Sequence, residues 1–148
     1  MPEIIIIEDN ESDADLVIRA LKKNNIANKV LVIKDGEEAL DYFFYKGKWA
    51  ERPPGHNPKM VLLDLKMPKV SGIEVLRKLK ADERTKIIPI IMLTSSKEDP
   101  DVKECYSLGV NSYVVKPLKF DEFIKAVSHL GLYWLVINQP PVNNEETV

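Results

Sequence analysis

Five short apolar runs alternate along this chain with stretches of helical periodicity, and that alternation restricts the fold more than any other feature. Ile4-Ile5-Ile6-Ile7 is a β-branched run too short for a helix. It reads as a strand buried on both faces. Val30 to Ile33, Met60 to Leu63, Ile87 to Leu93 and Ser112 to Val115 read as four further strands, with Pro89 near the start of its strand. Between them lie apolar stripes at helical spacing. Ser12 is the expected cap of a helix through Ala14, Val17 and Leu21 that ends at Asn24-Asn25. Gly36 opens a second helix, Ser71-Gly72 a third, Asp99-Pro100 a fourth that stops at Gly109, and Phe120 a fifth. The pattern predicts an α/β fold: a five-stranded parallel sheet with helices on both faces.

The 148 residues suit one such domain, because a chain of this size buries about two-thirds of its unfolded surface. One domain is expected over 1–138, followed by a Pro-Asn-Glu tail over 139–148. The connection 46–58, KGKWAERPPGHNP, is expected to be a long surface loop. A formal net charge of -2 argues against a nucleic-acid partner, which calls for a basic stripe or patch. No apolar run approaches the roughly 20 residues that span a bilayer. The acids following the first strand argue against a secretory leader, so a cytoplasmic protein is expected. The single cysteine, Cys105, leaves no partner for an internal disulfide, and is expected to be a small core residue. His56 and His129 are expected at the surface or its boundary.

Ligands of open parallel α/β sheets bind beyond the carboxyl ends of the strands. Here those ends carry Glu8-Asp9, Asp64, Thr94 and Lys116. Each has an ordinary reading alone: first-turn acids beside a helix dipole, a turn cap, a helix cap and a solvated charge. Together they gather three carboxylates, a hydroxyl and an ammonium along one edge. Crowded carboxylates repel one another and raise one another's pKa unless a cation lies among them. Hard oxygen ligands with room for water suit Mg²⁺. The site is suited to a dianionic group beside a carboxylate, most simply a phosphoryl group.

These residues resemble the receiver domain of two-component response regulators. The resemblance rests on Glu8-Asp9, Asp64 within LLDLKMP, Gly72, Thr94 within IIMLTSS and Lys116-Pro117 within YVVKPL, and covers roughly residues 3 to 130. It implies the strand order 2-1-3-4-5 of flavodoxin-like receivers, the chemotaxis type being a standard example of that topology. It implies that Asp64 accepts a phosphoryl group from a phosphohistidine of a sensor histidine kinase. Mg²⁺ would be held by Asp9, Asp64 and the backbone carbonyl of Lys66, with Glu8 acting through water. Lys116 would pair with Asp64 and then with the phosphoryl group, whose other oxygen Thr94 would bind. The Lys116–Pro117 bond is expected to be cis. Tyr113 would be the switch, its ring entering the space that Thr94 leaves. Lys66 and Ser96 flank the path of attacking water and would influence how long the group persists. Such a protein assists its own phosphorylation and dephosphorylation without being an enzyme on other substrates.

The insert before the third strand and the terminal YWLVINQPP also resemble receivers paired with phytochrome-type kinases. Trp134, Leu135, Val136 and Ile137 are expected to extend the last helix with exposed apolar surface. They suggest a homodimer through the fourth helix, fifth strand and fifth helix. Two other readings compete. A haloacid-dehalogenase-type phosphatase needs a second Asp two residues after the nucleophile, where Lys66 stands. A flavodoxin-like carrier needs a hydroxyl- and glycine-rich phosphate loop, which EDNESDAD is not.

Overall fold

A computed structural model describes residues 1–24, 29–55 and 57–141. Five parallel strands form one sheet in the order β2-β1-β3-β4-β5: β1 (Ile4–Ile7), β2 (Val30–Ile33), β3 (Met60–Leu63), β4 (Ile90–Thr94) and β5 (Ser112–Val115). The helices are α1 (Glu11–Lys23), α2 (Gly36–Phe44), α3 (Gly72–Ala81), α4 (Asp99–Ser107) and α5 (Phe120–Leu132). The order 2-1-3-4-5 is the one the resemblance implied.

Side chains of successive strand residues leave opposite faces, so each all-apolar strand feeds two cores. Ile5, Ile7, Val61, Leu63, Ile90 and Met92 face one core, closed by Tyr42, Phe43, Val75, Leu76, Leu79 and Cys105 of α2, α3 and α4. Ile4, Ile6, Met60, Leu62, Ile91 and Leu93 face the other, closed by Val17, Leu21, Phe123 and Val127 of α1 and α5. Full burial of each such side chain is worth about 1.5–3 kcal/mol. β1 lies between β2 and β3 and in register with both, with Ile7 level with Ile33 and Leu63. All three strands therefore end at one height.

Several expectations need correction. Asn10, not Ser12, caps α1: the Asp13 N–H donates to Asn10 Oδ1 at 3.0 Å. Asparagine satisfies that orphan donor as well as serine does, and it starts the helix two residues earlier. β4 begins at Ile90 rather than Ile87. Pro89 offers no N–H to a ladder, and the residues before it fold as a turn in which the Thr85 hydroxyl donates to Leu79 O at 2.6 Å. The 46–58 connection is less loose than expected. It holds a 3₁₀ turn, Gly47–Trp49. The Arg52 guanidinium stacks over the rings of Tyr42 and Tyr45, each at 4.1 Å, and its Nε donates to Tyr42 O at 2.9 Å.

After α5 the chain widens into a π turn, Tyr133–Ile137, closed by the Asn138 N–H donating to Tyr133 O at 2.6 Å. Trp134 and Leu135 pack against the α1/α5 core, while Val136 and Ile137 stay exposed at 62% and 63%. The apolar surface expected there is thus only half realised. Cys105 is fully buried and His129 exposed, as expected. His56, Asn25 and the tail from residue 142 lie outside the described residues.

Candidate functional site

The sheet's own hydrogen bonds carry the charged residues into one place. Past the last strand residues the parallel ladder continues. The Glu8 N–H donates to Ile33 O (3.0 Å), the Asp64 N–H to Ile7 O (3.0 Å) and the Lys116 N–H to Thr94 O (2.7 Å). Glu8, Asp64 and Lys116 are therefore each fixed one step beyond the end of a strand. Carboxylate oxygens of Glu8, Asp9 and Asp64 lie within 4.8 Å of one another. Glu8 and Asp64 are buried and Asp9 is exposed.

Glycine lets α3 close one side of this cluster. The Gly72 N–H donates to Leu65 O at 2.7 Å, and a Cβ on Gly72 would sit 2.0 Å from the Asp64 carbonyl oxygen. No other residue permits that approach. Ser71 caps α3, its Oγ accepting from the Glu74 N–H at 3.3 Å. Lys66, two residues beyond Asp64, has an exposed side chain. With Asp9, Met67 and Asp101 it lines an open cleft of about 500 Å³ beside the cluster.

Lys116 supplies the positive charge, but not to Asp64 first. Its Nζ donates to Glu8 Oε1 and to Asp13 Oδ2 (2.8 Å), and stands 3.8 Å from Asp64 Oδ2. Its side chain is 8% exposed. Burial alone draws its pKa down, yet the bonds to Asp13 and Glu8 outweigh that and leave it above the usual lysine value. Burial pushes the Glu8 carboxyl up to about 8 against the pull of Lys116, and the neighbouring Asp64 adds to the rise. The Lys116–Pro117 bond is trans, and no cis bond occurs among the described residues. Trans is the intrinsically favoured form by about 0.5–1 kcal/mol. The ladder bond from Lys116 to Thr94 already directs the side chain inward.

Thr94 is 1% exposed at the end of β4 and accepts the Ser96 N–H on Oγ1 at 3.4 Å. Tyr113 is half-buried and does not touch the acid cluster. Its hydroxyl donates to Ser96 O at 2.8 Å, and the Ser96 hydroxyl donates to Asp101 Oδ2 at 2.6 Å. The loop after Thr94 is thereby tied to both α4 and β5.

Asp13 is the residue that the sequence reading missed. With Ser12 as cap, Asp13 would be the first helical residue. With Asn10 as cap it is the third, over the site. The EDN sequence at the strand end was the available sign, since asparagine is as good a cap as serine.

Hard carboxylate oxygens at this spacing, two of them buried, fit a divalent cation of the magnesium or manganese kind. An ammonium within 4 Å of a buried carboxylate fits an added anion. The response regulator receiver domain family matches residues 4–128. The chain belongs to that family. It is a receiver of two-component signalling; the phosphatase and flavin-carrier readings fall away.

Among relatives, the probable methanogenesis regulatory protein FilR2 of Methanothrix harundinacea is 40% identical over 138 residues, which is 93% of this chain and 86% of FilR2. The response regulator Rcp1 of Synechocystis is 33% identical over 132 residues, 89% of this chain and 88% of Rcp1. The Mn²⁺-bound structure of Rcp1 superposes with a TM-score of 0.87 at 32% identity, covering 94% of this chain and 98% of that one. The phosphorylated cyanobacterial phytochrome response regulator RcpA gives a TM-score of 0.87 at 32% identity, covering 94% and 97%. No helix among the described residues is long and apolar enough to cross a membrane.

Proposed function

We propose that this receiver accepts a phosphoryl group on Asp64 from a phosphohistidine of a phytochrome-type sensor kinase, with Mg²⁺ as its cation. The observation that carries the reading is the Glu8–Asp9–Asp64 cluster with the Lys116 ammonium 3.8 Å from Asp64. Kinship with Rcp1 and RcpA supports the kinase class. A Mg²⁺ ion, held by Asp9, Asp64 and the Lys66 carbonyl with Glu8 reaching through water, would supply charge neutralisation for the transferring group.

In the transfer an Asp64 carboxylate oxygen attacks phosphorus. A P–O bond forms, the P–N bond to the partner's imidazole breaks, and the ring nitrogen keeps the electron pair and takes up a proton. Lys116 and the Thr94 hydroxyl donate to phosphoryl oxygens, which carry about −1.5 to −2 charge. Thr94 is drawn toward them and releases its hold on the Ser96 N–H. Ser96 also carries the carbonyl that Tyr113 holds, so the change reaches β5 and α4. The protein works in the cytoplasm through protein contacts and not on nucleic acid. It assists its own phosphorylation and dephosphorylation.

Exposed Tyr106, Val115, Leu118 and Phe120, with Val136 and Ile137, support a homodimer through α4, β5 and α5. Sedimentation of a monomer with and without phosphorylation sinks that part. The central test is intact mass after incubation with a small-molecule phosphodonor and Mg²⁺. A single phosphoryl adduct is expected on the wild type and none on Asp64→Asn. An undiminished adduct on Asp64→Asn overturns the assignment.

A further inference from the structure

An ammonium has three N–H donors and no acceptor. Lys116 directs its donors at three carboxylates: Glu8, Asp13 and, more distantly, Asp64. Glu8 and Asp64 belong to the cluster that suits a divalent cation; Asp13 does not. A cation entering that cluster competes with Lys116 for both Glu8 and Asp64. Among the described residues, Asp13 is the one carboxylate partner of Lys116 that the cation does not need.

Asp13 is also held in place. Its N–H is capped by Asn10 Oδ1 at 3.0 Å, which fixes it in the first turn of α1. A carboxylate is favoured there by the helix dipole. Its side chain is 28% exposed against 8% for Lys116, so it stands at the rim with the ammonium beneath it.

We propose that Asp13 is a positioning residue for Lys116. It keeps the ammonium in place beneath the rim as Glu8 turns to the cation, and the Lys116 N–H that had pointed at Glu8 is then free for the phosphoryl oxygen. This rests on the receiver reading of the site. Without Asp13 the ammonium has only Glu8 and Asp64 to pair with, and it then opposes the cation directly.

A double-mutant cycle on Mg²⁺ affinity, measured by calorimetric titration, tests this. Asp13→Ala is expected to weaken Mg²⁺ binding roughly fivefold in the otherwise wild-type chain. In the Lys116→Met background the same substitution is expected to change affinity less than about twofold, because the competitor is gone. Asp13→Asn, which keeps shape and a neutral acceptor, is expected to fall between wild type and Asp13→Ala. Glu11→Gln removes another first-turn charge, one that pairs with Lys34 at 2.8 Å, and is expected to leave affinity unchanged.

An equal loss from Asp13→Ala in both backgrounds means plain long-range attraction and overturns the proposal. So does no loss in either. Failure of the wild type to bind Mg²⁺ at all is a different result, and overturns the cation reading of the site instead.

Discussion

Lys116 and Lys80 are two cations drawn in at opposite ends of one sheet, and their surroundings differ in kind. Lys116 follows β5 and meets three carboxylates. Lys80 closes α3 and meets three uncharged oxygens, donating to Lys86 O, Ile88 O and Asn111 Oδ1, each at 3.0 Å. The charge of Lys116 is matched and its pKa is raised; that of Lys80 is unmatched, and burial brings it down to about 8. Lys80 ties the turn before β4 to the start of β5, where Asn111 Oδ1 also accepts the Ile90 N–H at 2.9 Å. One end of the sheet has charges that can exchange partners. The other has a fixed knot with nothing to exchange.

The comparison breaks most easily at Lys116. Lys116→Met is expected to slow phosphorylation by a small-molecule donor about a hundredfold, as loss of one preorganised donor to a developing charge does. The fold is expected to persist, because methionine fills the same channel and Glu8, whose carboxyl burial already pushes up to about 8, sheds its unpaired charge by taking up a proton. Undiminished phosphorylation, followed by mass, would show that Lys116 is structural after all.

The glycines sharpen the contrast. Gly72→Ala drives a methyl group against the Asp64 carbonyl at 2.0 Å and is expected to cost up to about 3 kcal/mol. It is expected to depress phosphorylation too, since Asp64 must shift. Gly109 sits at φ +98° beside Lys80, and a Cβ placed on it would meet Lys80 Cδ at an ordinary 3.7 Å. Gly109→Ala is expected to cost about 1–2 kcal/mol from backbone strain alone. Its phosphorylation rate is expected to match the wild type. Urea unfolding and a phosphorylation time course on both variants separate the two ends.

The same contrast explains what the sequence made legible. Strands buried on both faces read as unbroken apolar runs, so Ile4–Ile7 and Met60–Leu63 could be located from the sequence pattern; the edge strand Val30–Ile33 is apolar too, though only partly buried. Glu8, Asp64, Thr94 and Lys116 could be grouped because a parallel sheet brings its strand ends to one edge. Side-chain pairing was not legible. Whether Lys116 grips Glu8 or Asp64 depends on distances set by packing, and Asp13 entered the site only once the helix phase was right. Lys80 gave no sign, because two of its acceptors are backbone carbonyls of a turn whose shape Pro89 and Thr85 decide and the third is the Asn111 side chain 31 residues away. The stacking of Arg52 between two tyrosines was equally hidden, since it needs residues from α2 and from the connection at once.

The smallest effects belong to Lys80. Lys80→Met is expected to cost about 1 kcal/mol, the net worth of a hydrogen-bonded tether, with phosphorylation unchanged. Its pH dependence is more telling. The folded pKa of about 8 lies below the unfolded value near 10.5. Between those values the unfolded chain binds more protons at this residue, so its contribution to stability rises with pH. Below pH 8 both states carry the ammonium and the contribution is flat. The stability of the wild type relative to Lys80→Met, from urea unfolding at pH 7, 9 and 10.5, is therefore expected to increase across the series. A decrease would mean that the three oxygens hold the charged amine more firmly than burial expels it, since a neutral amine has only two N–H groups for three acceptors. The two ends of the sheet would then differ in the partners of their lysines, but not in the sign with which the fold treats the charge.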